Sequence, residues 1–326
     1  MRKTTIAFVV RRLLQIVPVV LAIAAMNFLL IKMAPGDAAD ILAGQMGHAT
    51  LEFTQQLRRE FGLDLPLIEQ FLVYMGRLLT LDLGVSFIQG VPVLDLILDR
   101  LPATLLLMVA AIVLAVGLGV AFGVAAARRQ GSWADSLISV SALVIYATPA
   151  FWLGLMLIVL FSIKLDLLPS GGMMQIGAGK TGLAYGLDVA RHLILPAATL
   201  GLFYVAIYTR LMRASMLEVY GLDFITTARA KGLSEGAIAW THALRNALLP
   251  VVTLAGVQLG HLLGGSVLVE TVFGWPGLGR LVFDALLQRD LNLLLGILFV
   301  SSVVVVIANL IVDLVYGLLD PRIVHK

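Results

Sequence analysis

Long apolar runs alternate with polar intervals along this chain. The runs are Leu13 to Ile31, Pro102 to Ala127, Leu137 to Ile163, Leu193 to Thr209, Leu248 to Val269 and Leu291 to Val312. Each is long enough, or nearly so, to carry a helix through a hydrocarbon core ~30 Å thick, which takes about 20 residues. The pattern predicts an all-α, polytopic fold with six transmembrane helices. Pro149 falls inside the third run and should kink it, freeing backbone groups that neighbours or water must satisfy. Between the first two runs, Met33 to Arg100 mixes charges with Pro35, Pro66 and Pro92, so this interval reads as a small extracytoplasmic segment with helices such as Thr50 to Phe61. The expected organisation is residues 1–32 as tail and first helix, 33–100 outside the membrane, and 101–326 as a five-helix core with a cytoplasmic loop over 210–247.

Composition agrees with the pattern. The chain is 60% hydrophobic and 13% charged, against about 45–50% and about 25% in soluble domains. It has no cysteine, which excludes disulfides, thiolate nucleophiles and Cys-ligated metals. A net charge of +3 is too small to indicate nucleic acid.

The distribution of that charge says more. Arg2, Lys3, Arg11 and Arg12 precede the first run, whose 19 uncharged residues exceed the roughly 7–15 of a signal-peptide core. It is therefore expected to stay as an anchor, and the Arg11-Arg12 pair to mark its inner end rather than a twin-arginine signal. With six crossings both termini share one side. Thirteen basic residues, among them Arg128, Arg129, Arg210, Arg213, Arg229, Lys231 and Arg245, fall on it, against five (Lys164, Lys180, Arg191, Arg280, Arg289) in the two shorter opposite loops. Positive residues collect inside, so both termini are expected in the cytoplasm.

The polar interval from Tyr220 to Pro250 then faces the compartment that holds ATP. Asp223 can cap a helix through Lys231, Gly232 can take the left-handed position that ends it, and Ser234 can cap a second helix running toward Pro250. Phe224, Ile225 and Ala228 share a face of the first helix, so an apolar knob could be offered to a partner. An ordinary basic cytoplasmic loop accounts for the same residues.

The run Thr227-Ala228-Arg229-Ala230-Lys231-Gly232-Leu233, followed by His242-Ala243-Leu244-Arg245-Asn246-Ala247-Leu248-Leu249-Pro250, resembles the coupling-loop signature of ABC importer permeases, in the version carried by peptide and nickel permeases. Thr226-Thr227-Ala228 stands where the general importer form has Glu-Ala-Ala, and the distance from Gly232 to Pro250 is longer. Further stretches extend the resemblance over nearly the whole chain: Arg11-Arg12-Leu13-Leu14, Ala34-Pro35-Gly36-Asp37, Glu270 to Gly279 and Asp320-Pro321-Arg322. The resemblance implies a bacterial inner-membrane permease subunit, not an enzyme, that carries di- or oligopeptides. Nickel or another small solute is the alternative cargo. The implied partners are a second homologous permease, two cytoplasmic ATPase subunits, an extracytoplasmic solute-binding protein and membrane lipid. Asp223, Thr227, Ala228, Arg229, Ala230, Lys231, Gly232 and Leu233 would meet an ATPase. No cofactor is expected on this chain, since ATP and Mg would lie on the ATPases.

Other motifs are weaker. Gly177-Ala178-Gly179-Lys180-Thr181 resembles a phosphate loop, but Met174 occupies its first glycine position, so a flexible loop is expected. Gly256, Gly260 and Gly264 recur at four-residue spacing, as do Gly119 and Gly123, which suits close helix packing. Ionisable or strongly polar groups inside the runs are few. Gln258 and His261 are the candidates for a translocation path, with Asp313 and Asn309 at the edge of the last run. No metal site is expected. Glu270 to Gly279 reads as a turn at the membrane face, with Trp275 in the interfacial belt. The rival class, an ion-coupled secondary transporter, would need a repeat between halves or buried carboxylates, and neither is evident. Orientation can be checked with single cysteines in this cysteine-free chain. Cysteines at Gln130 and Ser234 should react only with membrane-permeant reagent, and those at Gln55 and Gly177 with impermeant reagent from outside; the reverse labelling would invert the topology.

Overall fold

Inside hydrocarbon, every backbone N–H and C=O needs a partner within the protein, and helices supply it. In a computed structural model that describes residues 2–33, 39, 44, 50–60, 62–86 and 88–319, the chain is accordingly helical. The helices are α1 (Arg2–Met33), α2 (Leu51–Glu60), α3 (Leu67–Leu79), α4 (Val93–Arg128), α5 (Trp133–Ala147), α6 (Ala150–Leu157), α7 (Gly182–Tyr220), α8 (Asp223–Ala230), α9 (Glu235–Ala237), α10 (Leu244–Phe273), α11 (Leu278–Gln288) and α12 (Leu291–Leu319). A π-helical turn, Ile158–Lys164, extends α6, and another, Ile238–Ala243, joins α9 to α10.

Among the described residues, three helices are long and apolar enough to cross a membrane: α4, α7 and Leu291–Val312 of α12. Two bent pairs qualify if each counts as one crossing, and α1 holds a shorter apolar stretch, Leu14–Leu30. The second helix begins earlier than expected, at Val93, with Pro102 inside it. The third run is broken rather than kinked, its halves meeting at 106°. Proline explains this: it lacks an N–H and pushes the preceding residue out of the helical region. Thr148 is extended (φ −83°, ψ 128°), and its hydroxyl donates to the Val144 carbonyl at 2.8 Å.

Contacts divide the chain into two compact units. One comprises Met1–Arg100, Leu281–Leu310 and Gly317–Lys326; the other comprises Leu101–Arg280 and Ile311–Tyr316. In the first, α3 lies on α1 through Phe28, whose ring meets Phe71 edge-on at 5.3 Å. Asp290 ties distant sequence together there: it accepts the Ser86 hydroxyl and caps α12 by accepting the Leu293 N–H at 3.1 Å.

The second unit holds the larger core, from Leu107 and Ala111 on α4 through Tyr208 and Met212 on α7 to Leu262 and Val269 on α10. Small residues set the spacing of α4 and α7. A Cβ on Gly123 would lie 2.8 Å from the Thr209 carbonyl oxygen, and one on Gly201 would lie 2.9 Å from that of Ala111.

The stretch expected to be an interfacial turn does turn, and its aromatic ring packs inward. Gly274 ends α10 in the left-handed conformation (φ 60°), and the Trp275 N–H returns to the Glu270 carbonyl at 2.9 Å. Trp275 is fully buried and its Nε1 donates to the Ala103 carbonyl at 2.9 Å, so its ring faces protein rather than lipid headgroups. Glu270, also fully buried, accepts the Thr104 hydroxyl at 2.9 Å and the Arg280 N–H at 3.0 Å. Thr104 in turn accepts the Leu278 N–H at 2.7 Å. A Cβ on Gly277 would overlap the Glu270 carboxyl, and one on Gly279 would meet the Val267 Cα at 2.6 Å and the carboxyl at 3.0 Å. Glu270→Ala should leave buried donors unpaired and cost about 2–3 kcal/mol. Thermal unfolding in detergent should show a lowered midpoint for Glu270→Ala and a smaller loss for Glu270→Gln, which retains an acceptor.

Candidate functional site

The Tyr220 to Pro250 interval folds as two helical pieces about a glycine turn. α8 begins at Asp223, which lies in its first turn. Leu222 holds the cap position and makes no side-chain cap bond. Asp223 is therefore not the cap, although a carboxylate in the first turn still complements the helix dipole. Lys231 closes the helix by donating its N–H to the Thr227 carbonyl at 3.1 Å, and Gly232 follows at φ 80°. Ser234 caps α9 as expected, accepting the Ala237 N–H at 3.3 Å.

An ion pair fixes the angle of the turn. Arg229 donates from Nε and Nη2 to the two Glu235 carboxylate oxygens at 2.8 and 3.3 Å, and its guanidinium lies 5.9 Å from the centre of the Tyr220 ring. The bond to Glu235 raises the Arg229 pKa above its ordinary value. Both partners are exposed, so the pair selects geometry more than it adds stability.

The expected apolar knob is divided between inside and outside. Ile225 and Ala228 are buried, and with Ile238, Ala239 and Ala243 they join the core of the second unit. Phe224 (40% exposed) faces outward with Leu222, Leu233 and Trp240 (50% exposed). Of the residues expected to meet an ATPase, Asp223, Thr227, Arg229, Ala230, Lys231, Gly232 and Leu233 are exposed, whereas Ala228 is buried. The outward apolar group around the turn includes Trp240, which spacing along α8 alone could not have found.

Two features link the turn to the long helices. The helix begun by Ser234 does not stop at Pro250: it passes through the π turn into α10, with Pro250 inside. Seven residues before Tyr220, Arg213 on α7 forms a two-pronged bond to Asp135 at 2.7 and 2.8 Å, and Asp135 also accepts the Gly131 N–H at 3.0 Å. The α4–α5 connection is thereby fastened to α7. By sequence Arg213 reads as one more inner-side positive charge, and its partner Asp135 gives no signal.

The other candidates are scattered. Gln258 is half-buried on α10, while the side chains of His261 and Asp313 lie outside the described residues, as do Ala34 to Asp37 and Asp320 to Arg322. Gly256 sits against Val312, Gly260 is half-buried, and Gly264 has open space where a Cβ would be. α10 bends by 65° between Gln258 and Leu262, around Gly260. Glycine in a helix interior makes such a bend easier. Lys180 is committed to an ion pair with Asp188 at 2.6 Å and also donates to Gln175 at 3.0 Å, so the Gly177 to Thr181 loop is pinned rather than free.

Residues 119–325 match the family described as binding-protein-dependent transport system inner membrane component, and residues 5–108 match the N-terminal membrane component of such systems. The chain belongs to this family. This inner membrane component is 41% identical to the dipeptide transport system permease protein DppB of Escherichia coli K12, across 98% of this chain and 99% of that protein. It is 40% identical to the oligopeptide transport system permease protein AppB of Bacillus subtilis 168, across 97% and 99%. Its fold matches a chain of the MetNI methionine ABC transporter in inward facing conformations, with a TM-score of 0.56 and 17% identity over 69% of this chain and 96% of that one.

At Gly232 nothing lies within 4 Å of a built Cβ, so the constraint there is backbone conformation alone. Gly232→Val should strain the turn by about 1–2 kcal/mol, whereas Gly232→Asn should be tolerated. Cross-linking between cysteines placed at Thr227 and Ala237 should slow in the Val variant and stay near the parent rate in the Asn variant.

Proposed function

We propose that this family member is one permease subunit of an ATP-driven importer of di- or oligopeptides. The observation that carries the reading is near full-length similarity to relatives named for dipeptide and oligopeptide transport. The structural feature that gives it a mechanism is the exposed turn around Gly232, continuous through α9 and the π turn with α10. Six crossings with both termini in the cytoplasm would place that turn on the side of ATP, in accord with the charge asymmetry of the loops.

In this reading a second homologous permease completes the path, and a solute-binding protein delivers substrate from outside. Two ATPase subunits carry ATP and Mg and dock on Leu222, Phe224, Leu233, Trp240 and the exposed coupling residues. ATP-driven closure of the ATPases swings the turn as a rigid piece. Because α9 runs into α10, the motion reaches the membrane helices without a slack joint, and the bundle switches between two packings. The chain itself forms and breaks no covalent bond.

A nickel path would present nitrogen ligands to the metal, and the apolar runs offer His192 beside the fourth run and His261 in the fifth. His192 is buried and its Nδ1 lies 2.8 Å from the Asp188 carbonyl oxygen, which already occupies one ring nitrogen. Uptake into vesicles carrying the assembled complex tests the choice. Di- or oligopeptides should enter and stimulate ATP hydrolysis, the ATPase subunits should purify with this chain, and His261→Ala should retain most of the peptide uptake. Nickel uptake that is lost in His261→Ala, with peptides ignored, would move the chain to the metal branch.

A further inference from the structure

We propose that the break between α5 and α6 is a docking point for the C-terminal carboxylate of the transported peptide. This inference rests on the peptide reading and adds a place and a chemistry to it. A cavity of about 340 Å³ opens at the break, walled by Tyr146, Thr148, Pro149, Ala150, Tyr204 and Gly265 among others. That volume falls within the range of small-ligand sites.

The donors come from the backbone. Pro149 precedes α6 and supplies no side-chain cap, and the first N–H of the helix to find a carbonyl is that of Leu153, on Pro149 at 3.0 Å. The N–H groups of Ala150, Phe151 and Trp152 therefore precede the helical ladder, at the positive end of the helix dipole. Such an end receives carboxylates and phosphates readily. By contrast, Ser132 and Ser234 cap α5 and α9 with their hydroxyls.

A second observation points to a ligand. Tyr204 is 94% buried by its 6% exposure, and its hydroxyl makes no hydrogen bond among the described residues. It lies beside the open face of Gly265, where a Cβ would come within 3.8 Å of the Tyr204 oxygen. The side chain is buried while its unpartnered oxygen keeps access to the cavity it lines, where an entering group can supply the missing bond. The same break also offers acceptors. The Thr148 N–H and hydroxyl return to Ile145 and Val144, so the carbonyls of Tyr146 and Ala147 come after the last closed turn of α5.

None of the residues walling the cavity carries a formal charge, so no side chain competes for a carboxylate there. Phe203 stacks on Tyr146 at 5.0 Å and meets Tyr204 edge-on at 5.2 Å, giving an aromatic wall that tolerates varied side chains. Every unblocked peptide carries one terminal carboxylate whatever its sequence. A site built from main-chain donors, one phenol and aromatic rings recognises that shared feature and leaves the side chains unread.

The test uses the assembled complex with its binding protein in liposomes and a dipeptide ending in photoreactive benzoylphenylalanine, compared with its C-terminal amide. Two variants remove donors. Ala150→Pro deletes one N–H at a helix position that accepts proline, and Pro149 already has the extended ψ of 132° that a following proline requires. Tyr204→Phe deletes the hydroxyl. The free-acid dipeptide should label the α5–α6 break, and each variant should raise its KM for uptake about tenfold, the size expected for one charge-assisted hydrogen bond. The amide should label weakly and respond to neither variant. Equal labelling and equal KM for acid and amide in all three proteins, or label confined to the partner permease or to lipid while uptake continues, would overturn this site and leave the peptide reading intact. Absence of uptake for every peptide would overturn both.

Discussion

One buried carboxyl group organises the end of α10. Glu270 gathers the Thr104 hydroxyl from α4 and the Arg280 N–H from the start of α11, while Thr104 passes a further bond to Leu278. The acceptor at the end of one helix thus meets the orphan donors at the start of another, a demand every helix terminus makes. The glycines beside it have the same origin. A methyl group at 277 would fill the space the carboxyl needs, one at 279 would press on the backbone of Val267 as well, and Trp275 closes the assembly by bonding to Ala103. The second unit depends on this knot, because it fixes where α10 ends relative to α4 and lets α7 pack against both.

Much of this architecture was legible in the amino-acid sequence, for a physical reason. Apolar length is dictated by membrane thickness, so every run except the third, which breaks at Thr148 and Pro149, lies within one described helix. The turn around Gly232 was equally readable, since a left-handed position and a serine cap have local chemical signatures. Asp223 was misplaced by one position because cap and first-turn residues favour the same acidic side chains. Trp275 was misread because interfacial and buried tryptophans look alike in sequence; the difference is the Ala103 carbonyl, 172 positions away. Pro149 announced a distortion but not its size. A kink and a 106° break begin with the same missing N–H and diverge according to what surrounds them. The Arg213–Asp135 pair needed the fold itself, because 78 residues separate the partners.

In the proposed coupling role the turn would work by stiffness. Ile225 and Ala228 give the turn an inner face that is part of the core, while Phe224 and Trp240 give it an outer one. A partner docked as proposed would, by pushing on the outer face, push on the core as well. The Arg229–Glu235 pair keeps the two helical pieces from folding like scissors, and Arg213 with Asp135 anchors the neighbouring connection to α7.

The π turn at Ile238–Ala243 sits between that outer face and α10. A π turn accommodates one residue more than an α turn, and one residue is about 100° of rotation about the axis. The turn therefore acts as a phase setter: it decides which stripe of α10 lies above the outward face of Phe224 and Trp240. Relatives that differ by a single residue in this stretch would turn a different side of the fifth run toward its neighbours while keeping the same outward face on the turn. The outward face and the helix it leads into could in this way diverge separately, with the phase between them written in the length of one short turn.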